Sequence, residues 1–249
     1  MLKAGWIGLL FGFLLGLGFV TVLYSMFLTK INMEIHSKNQ FGRYNALKRL
    51  GFEPTKILDI GAASGEWSSM MFELYPKAEF TLVEANAECL FKIREKGFTK
   101  VYQAVLGDEN KTVIFHKCQT GCTEGNSVFK EQSVFPFSQE EVQMTRLDDL
   151  LPNGDYHLVK IDTQGAEKII LEGGANCVKN ASFIQLETQI QEYNKNAPFT
   201  LDIIKHMDNI GFRLYDIIDF HYNSLNLLIQ VDLLFGRKDL QLFHLGCYS

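Results

Sequence analysis

From residue 54 onward the chain reads as short apolar runs separated by stretches with helical spacing. Residues 56–60, 80–83, 101–106, 158–161 and 183–186 are brief runs rich in strand formers, of the kind buried on both faces of a parallel sheet. Between them, 65–75, 87–96, 166–171 and 201–210 repeat apolar residues three and four apart, the pattern of an amphipathic helix. A further amphipathic helix over 41–50 leads in and is closed by Gly51 and Pro54. The last two runs, 212–218 and 225–235, are joined by the polar link His221-Tyr-Asn-Ser224, where no helix fits, so they should pair antiparallel. The pattern predicts an α/β fold: a doubly wound, seven-stranded, mostly parallel sheet with a reversed edge strand. Residues 112–116 and 142–146 look like strands where a plain α/β unit would place a helix. The segment 107–147 therefore reads as an insertion over the rim of the active site.

The first residues follow a different pattern. Residues 4–29 hold no charged side chain and are dominated by Leu, Phe, Gly and Val. A helix of that length would be about 39 Å long, enough to span a hydrocarbon core of about 30 Å with some tilt. Trp6 and Tyr24 lie near its ends, where amphipathic rings favour the interface. The apolar core is too long for a cleaved signal peptide, and no A-x-A pattern follows it, so the expectation is a transmembrane signal anchor. Lys30, Lys38, Arg43, Lys48 and Arg49 on one side, against Lys3 on the other, favour a cytoplasmic catalytic domain. Gly5, Gly8, Gly12 and Gly16 form a small-residue stripe that would allow helix-mediated self-association.

Composition adds exclusions. A net charge of −5 argues against nucleic acid held by bulk electrostatics. Cysteines at 89, 118, 122, 177 and 247 form no paired CxxC array, so no structural zinc site is expected, and their odd number suits a reducing compartment. Two glycosylation sequons, at Asn110 and Asn180, are about what chance provides.

The strongest local signal is Ile57-Leu-Asp-Ile-Gly-Ala-Ala-Ser-Gly-Glu66. A strand ends at Asp59, and Gly61, Ala62 and Gly65 form a turn into the next helix. Glycine there allows close backbone approach to a ligand. A dinucleotide site would want G-x-G-x-x-G with a pyrophosphate on the helix N-terminus. Here Asp59 stands where the first glycine would be, and a carboxylate repels a pyrophosphate. It suits a cationic ligand, and S-adenosylmethionine carries both a sulfonium and an α-amino group. Glu84, ending the next strand, can accept hydrogen bonds from ribose hydroxyls. Asp108, after the third strand, is either an acceptor for an adenine amino group or a turn residue.

These blocks resemble the FkbM-type methyltransferase family. The matching residues are Leu58-Asp-Ile-Gly-Ala62, Val83-Glu84, Leu106-Gly-Asp108, Arg146-Leu-Asp-Asp-Leu150, Leu158-Val-Lys-Ile-Asp-Thr-Gln-Gly-Ala-Glu167, Leu171-Glu-Gly-Gly-Ala175 and Gln185-Leu-Glu187. The resemblance implies a Rossmann-like class I methyltransferase fold and O-methylation of a hydroxyl on a sugar, glycan or other small molecule. It would fill residues 54–238, after the anchor and a linker with leading helix over 30–53, and before a tail at 239–249.

Methyl transfer from a sulfonium needs an aligned acceptor and a place for its proton. Asp162 ends a buried strand, where an acid needs a reason. Glu187 ends the next strand, and Glu167 opens the following helix. Asp162 and Glu187 could share general-base work or bind a divalent cation, although no histidine pairs with them in sequence. Glu167 is the third catalytic candidate, with a helix-start acid or a partner for Lys160 as its plainer reading. Asp148 and Asp149 read as turn caps, and His221, which could reach the site mouth from the polar link, reads more readily as a surface loop residue. The rival readings are an NAD(P)-binding Rossmann oxidoreductase and a non-catalytic membrane scaffold.

Overall fold

The computed structural model describes residues 40–119 and 125–241. The apolar span expected at 4–29, Cys122 and the tail from 242 lie outside them. Among the described residues no helix is long and apolar enough to cross a membrane.

Helix α1 occupies residues 40–49. It turns Tyr44 and Leu47, three apart, into the core and ends at Gly51, whose φ of 92° suits a residue without a side chain. Then follow β1 (Lys56–Ile60), α2 (Glu66–Leu74), β2 (Glu79–Glu84), α3 (Ala87–Glu95) and β3 (Lys100–Gln103). The Asn86 side chain caps α3 by accepting from the Glu88 N–H at 3.2 Å. The insertion comprises β4 (Val105–Gly107), β5 (Lys111–Cys118) and β6 (Phe137–Arg146), closed by the single turn α4 (Leu147–Leu150). The chain finishes with β7 (Leu158–Ile161), α5 (Glu167–Gly173), α6 (Ala175–Val178), β8 (Phe183–Gln189), α7 (Thr200–Asn209), β9 (Phe212–Tyr222) and β10 (Leu228–Arg237).

The main sheet has seven strands in the order β3-β2-β1-β7-β8-β10-β9. Its strands run parallel from β3 to β8, and β10 pairs antiparallel with both neighbours. The reversed strand is therefore the penultimate one, and not the edge strand expected from sequence. The hairpin puts β9 outside β10 because β10, with its run Val231–Phe235 almost entirely buried, takes the two-sided position against β8. Strand order reverses between β1 and β7, which opens a crevice at their carboxyl ends.

The run expected as one strand over 101–106 is two. β3 pairs with β2, and after Ala104 the chain leaves the sheet so that β4 pairs with β6. The second sheet, β4-β6-β5, is the insertion foreseen over the rim. Burial explains the break: Leu106 is 4% exposed and joins the core beneath α5, whereas β3 stays at an edge, with three of its four residues exposed.

Alternation along β1 sorts residues between two cores. Leu58 and Ile60 face α4 to α7 with Val159, Ile161, Ile184 and Leu186. Ile57 faces α1 and α2 with Leu82, Leu158 and Phe183. Asp59 shares that second face, so the sheet there carries a polar row inside an apolar layer.

Gly173 marks where α5 meets β4. A Cβ on it would overlap the Gly107 carbonyl oxygen. Gly→Ala in an open helix interior stabilises by about 1 kcal/mol; Gly173→Ala should instead destabilise by ~2 kcal/mol or more, measured as a lower urea midpoint.

Candidate active site

A cavity of about 360 Å³ opens at the crevice between β1 and β7 and is roofed by the insertion. Its floor is made by the loops after β1, β2 and β7, and its far wall by β8, β9 and β10.

The loop after β1 bends under tight constraints. Gly61, at φ 74°, donates its N–H to the Val83 carbonyl at 2.9 Å. A Cβ there would overlap the Asp162 carbonyl oxygen, so the β1 and β7 loops touch only because residue 61 is glycine. Ala63 holds a left-handed φ of 45° and lines the cavity. Its N–H reaches Glu84 Oε2 at 2.8 Å, while Asn86 N–H reaches Glu84 Oε1 at 2.7 Å. Glu84 thus clamps two loops and still lines the cavity. Its burial raises its pKa to about 7 despite these two donors, with Asp59 and Asp162 adding to the effect.

The loop after β7 is built the same way. Gln164, another left-handed residue at φ 56°, and Gly165, at φ 103°, make its turn. Glu167 Oε1 accepts from Thr163 N–H at 2.9 Å, Thr163 Oγ1 at 3.1 Å and Gly165 N–H at 3.2 Å. Both tight turns beside the cavity therefore contain a non-glycine left-handed residue, each held by a buried glutamate.

The sequence-predicted residues divide into three groups. Gly61, Glu84, Asp162 and Glu187 meet at the cavity wall. Asp59, Ala62, Gly65 and Glu167 lie behind it. Asp59 is fully buried on the α2 side and accepts from Ser68 Oγ at 2.6 Å. Ala62 packs into the α1–α2 core, and Gly65, at φ 82°, starts α2. Asp108 belongs to neither group: it turns outward after β4, 3.4 Å from Lys111, and Ala104, Val105 and Leu106 line the cavity in its place.

Beneath the site runs a buried charged row. Register sets Asp59 opposite Lys160 and Lys160 opposite Gln185. Lys160 Nζ donates to Asp162 Oδ2 at 2.9 Å and sits 5.9 Å from the centre of the Trp67 ring. Tyr44 of α1 donates to Gln185 and closes the row from above. Burial opposes the charge of Asp162, but Lys160 outweighs it and holds that carboxyl below the usual range. Glu187 behaves oppositely: burial first, then Asp162, Asp232 and Glu167, push its pKa well up.

Two residues on the last strands complete the wall. β9 continues to Tyr222, so His221 is a strand residue lining the cavity and not a surface loop residue. Gln230 of β10 donates to Glu187 Oε2 at 2.8 Å, and Gln164 donates to the same oxygen. Asp232, in the apolar run of β10, carried the missed signal: a charge amid Leu228–Arg237 that is 3% exposed needs a partner at depth.

A family model described as the methyltransferase FkbM domain matches residues 59–214, more than half of the chain. The chain belongs to the FkbM methyltransferase family. The donor of this FkbM domain is S-adenosylmethionine, and a nicotinamide oxidoreductase is set aside. The donor set fits: the cavity presents carboxylates and tight turns, and no lysine or arginine is among the described residues that line it. No curated protein matches the chain. Among solved structures, the FkbM domain resembles a precorrin-6y C5,15-methyltransferase from Geobacter metallireducens GS-15, at 13% identity over 75% of this chain and 81% of that one, with a TM-score of 0.45. It also resembles the magnesium protoporphyrin IX methyltransferase of Synechocystis PCC 6803 with bound S-adenosylmethionine, at 12% identity over 81% and 79%, with a TM-score of 0.46. At that distance neither bears on this chain's substrate.

Glu167→Ala strips three donors of their acceptor in a buried turn and should cost about 3 kcal/mol, whereas Glu167→Gln keeps Oε1 and should cost far less. Thermal melts of both variants check this. Burial lifts Glu167, like Glu84, from an ordinary value of 4.5 to about 7. The folded protein therefore binds more protons than the unfolded chain between those values, and this contribution to stability is lost as pH rises through 7. The melting temperature should fall between pH 5 and pH 8, and the slope should flatten in Glu84→Gln/Glu167→Gln.

Proposed function

We propose that the domain transfers a methyl group to a hydroxyl on a sugar, glycan or comparable small molecule. The reading rests on one observation: the cavity has two chemically different ends. At one end, Glu84 stands beside the Gly61–Ala63 turn, suited to ribose hydroxyls and an adenosyl group lying close to backbone. At the other, Asp162, Glu187, Gln164 and Gln230 offer carboxylates and amides, the acceptors and donors a polyhydroxylated molecule needs. Ser127 ties the roof down, its Oγ donating to the Thr163 carbonyl at 3.0 Å or the Gln164 carbonyl at 2.9 Å.

When bound, S-adenosylmethionine supplies an electrophilic methyl on a sulfonium and leaves as a neutral thioether. The chain's own residues must orient the acceptor, exclude water and take its proton. Phe115 and Phe135 of the insertion line the cavity, and the buried Phe115 ring gives it an apolar wall. Glu187 is assigned the proton: raised proton affinity makes its carboxylate a stronger base than Asp162, which Lys160 neutralises. Asp162 positions the acceptor side through Gln164, whose amide lies 3.3 Å away. Glu167 holds the turn and is given no proton to move. The apolar segment 4–29, read as a single-pass anchor with the domain on the cytoplasmic side, would present it to acceptors at a membrane surface.

Calorimetry on the detergent-solubilised full chain should show S-adenosylhomocysteine binding, and Glu84→Ala should weaken it about 100-fold by removing two charged hydrogen-bond acceptors. Absence of binding would favour the non-catalytic scaffold. Mass spectrometry of lipid and glycan fractions, with and without the enzyme, would then identify the methylated acceptor.

A further inference from the structure

Four neighbouring strands bring a row of acids to one edge of the site. Asp162 follows β7, Glu187 lies on β8, Asp232 on β10 and Asp219 on β9. Register sets Asp232 directly opposite both Glu187 and Asp219. Like charges so placed repel. Lys160 is taken up by Asp162 at 2.9 Å. Gln40 of α1 supplies only neutral amide hydrogens, to Asp219 at 3.1 Å and Asp232 at 3.2 Å.

His221 faces this row from the cavity side. Its Nε2 stands 3.8 Å from Glu187 Oε1 and 3.7 Å from Asp232 Oδ2. One ligand atom from each of Glu187, His221 and Asp232 lies within 4.8 Å of the others. Donors around one ion with bonds of about 2.1 Å stand roughly 3.0–3.5 Å apart, so the carboxylates must draw in on His221 by less than about 1 Å, and toward each other by as much as ~1.3 Å or a little more. A separate observation points the same way. Asp232 is 3% exposed, and its Oδ1 has no hydrogen-bond partner among the described residues. A carboxylate oxygen left so at depth is costly unless something cationic meets it.

We propose that Glu187, His221 and Asp232 bind a divalent transition-metal ion in the wall of the cavity. One imidazole beside two carboxylates suits the series from manganese to zinc better than calcium or magnesium, which prefer oxygen donors alone. Glu187 and His221 line the cavity, so the remaining positions of the ion face an incoming acceptor oxygen, whose pKa the ion would lower in place of proton uptake by a free Glu187 carboxylate. That orientation deepens the methyl-transfer reading and rests on it; the binding of the ion does not.

The test uses the full chain after chelator treatment and dialysis, titrated with Mn²⁺ alone and with Zn²⁺ alone. Calorimetry, and loss of the free Mn²⁺ electron-spin signal, should report one saturable equivalent. His221→Ala and Asp232→Asn should each weaken it at least 30-fold. His221 is the safer variant for folding, since over a third of its side chain is exposed. No saturable site in the wild type, or binding by both variants as tight as the wild type's, overturns the proposal. S-adenosylhomocysteine binding measured in chelator separates the two readings: if it fails while metal binds, the methyl-transfer reading falls and the metal site stands.

Discussion

The structure depends on one buried lysine. Lys160 lies in the middle of the sheet, between Asp59 on β1 and Asp162 at the end of β7, with Trp67 and Tyr44 over it. Its ammonium is kept charged there because the surrounding carboxylates outweigh the cost of burial. Removing one partner of such a group leaves an uncompensated charge at depth, which costs several kcal/mol. The two loops that shape the cavity leave the sheet from the strands that carry these charges. The ion pair fixes where they start, and Gly61 lets them touch.

Above that pair, each loop is held by an acid whose bonds to backbone N–H groups are made whether or not a ligand is bound. Glu167 satisfies the β7 turn and Glu84 satisfies the β1 and β2 turns, through backbone N–H groups that would otherwise be orphaned in a dry interior. Ala63 and Gln164 adopt left-handed backbone in consequence. This is pre-organisation in a concrete sense. The strain is held by hydrogen bonds that exist before any ligand arrives, so binding does not have to order the turns.

Helix α1 has a part that its position before the FkbM match does not suggest. Tyr44 closes the polar row at Gln185, Gln40 reaches Asp219 and Asp232, and Arg43 pairs with Asp216 at 3.2 Å. The helix covers the α2 face of β7 to β10, where a polar row runs among the apolar side chains Leu158, Phe183, Ile218 and Leu234. A segment that leads out of an expected membrane anchor is thus built into the underside of the site.

The parts legible in sequence were those carried by local pattern. β1 and β7 fall on their expected residues, because continuous apolar runs bounded by glycine mark doubly buried strands. The turn after Asp59, the acid ending β2 and the insertion over the rim follow from spacing and composition alone. What tertiary structure decided were the contacts between residues far apart in the chain. Whether Asp59 faces ligand or core depends on which side of β1 receives α2. Whether Asp108 reaches the cavity depends on where β4 leaves the sheet. His221 becomes a wall residue only because β10 slots between β8 and β9, bringing Asp232 and Glu187 beside it. A chain pattern records burial one residue at a time, whereas a charge's role is set by the partners that folding brings to it.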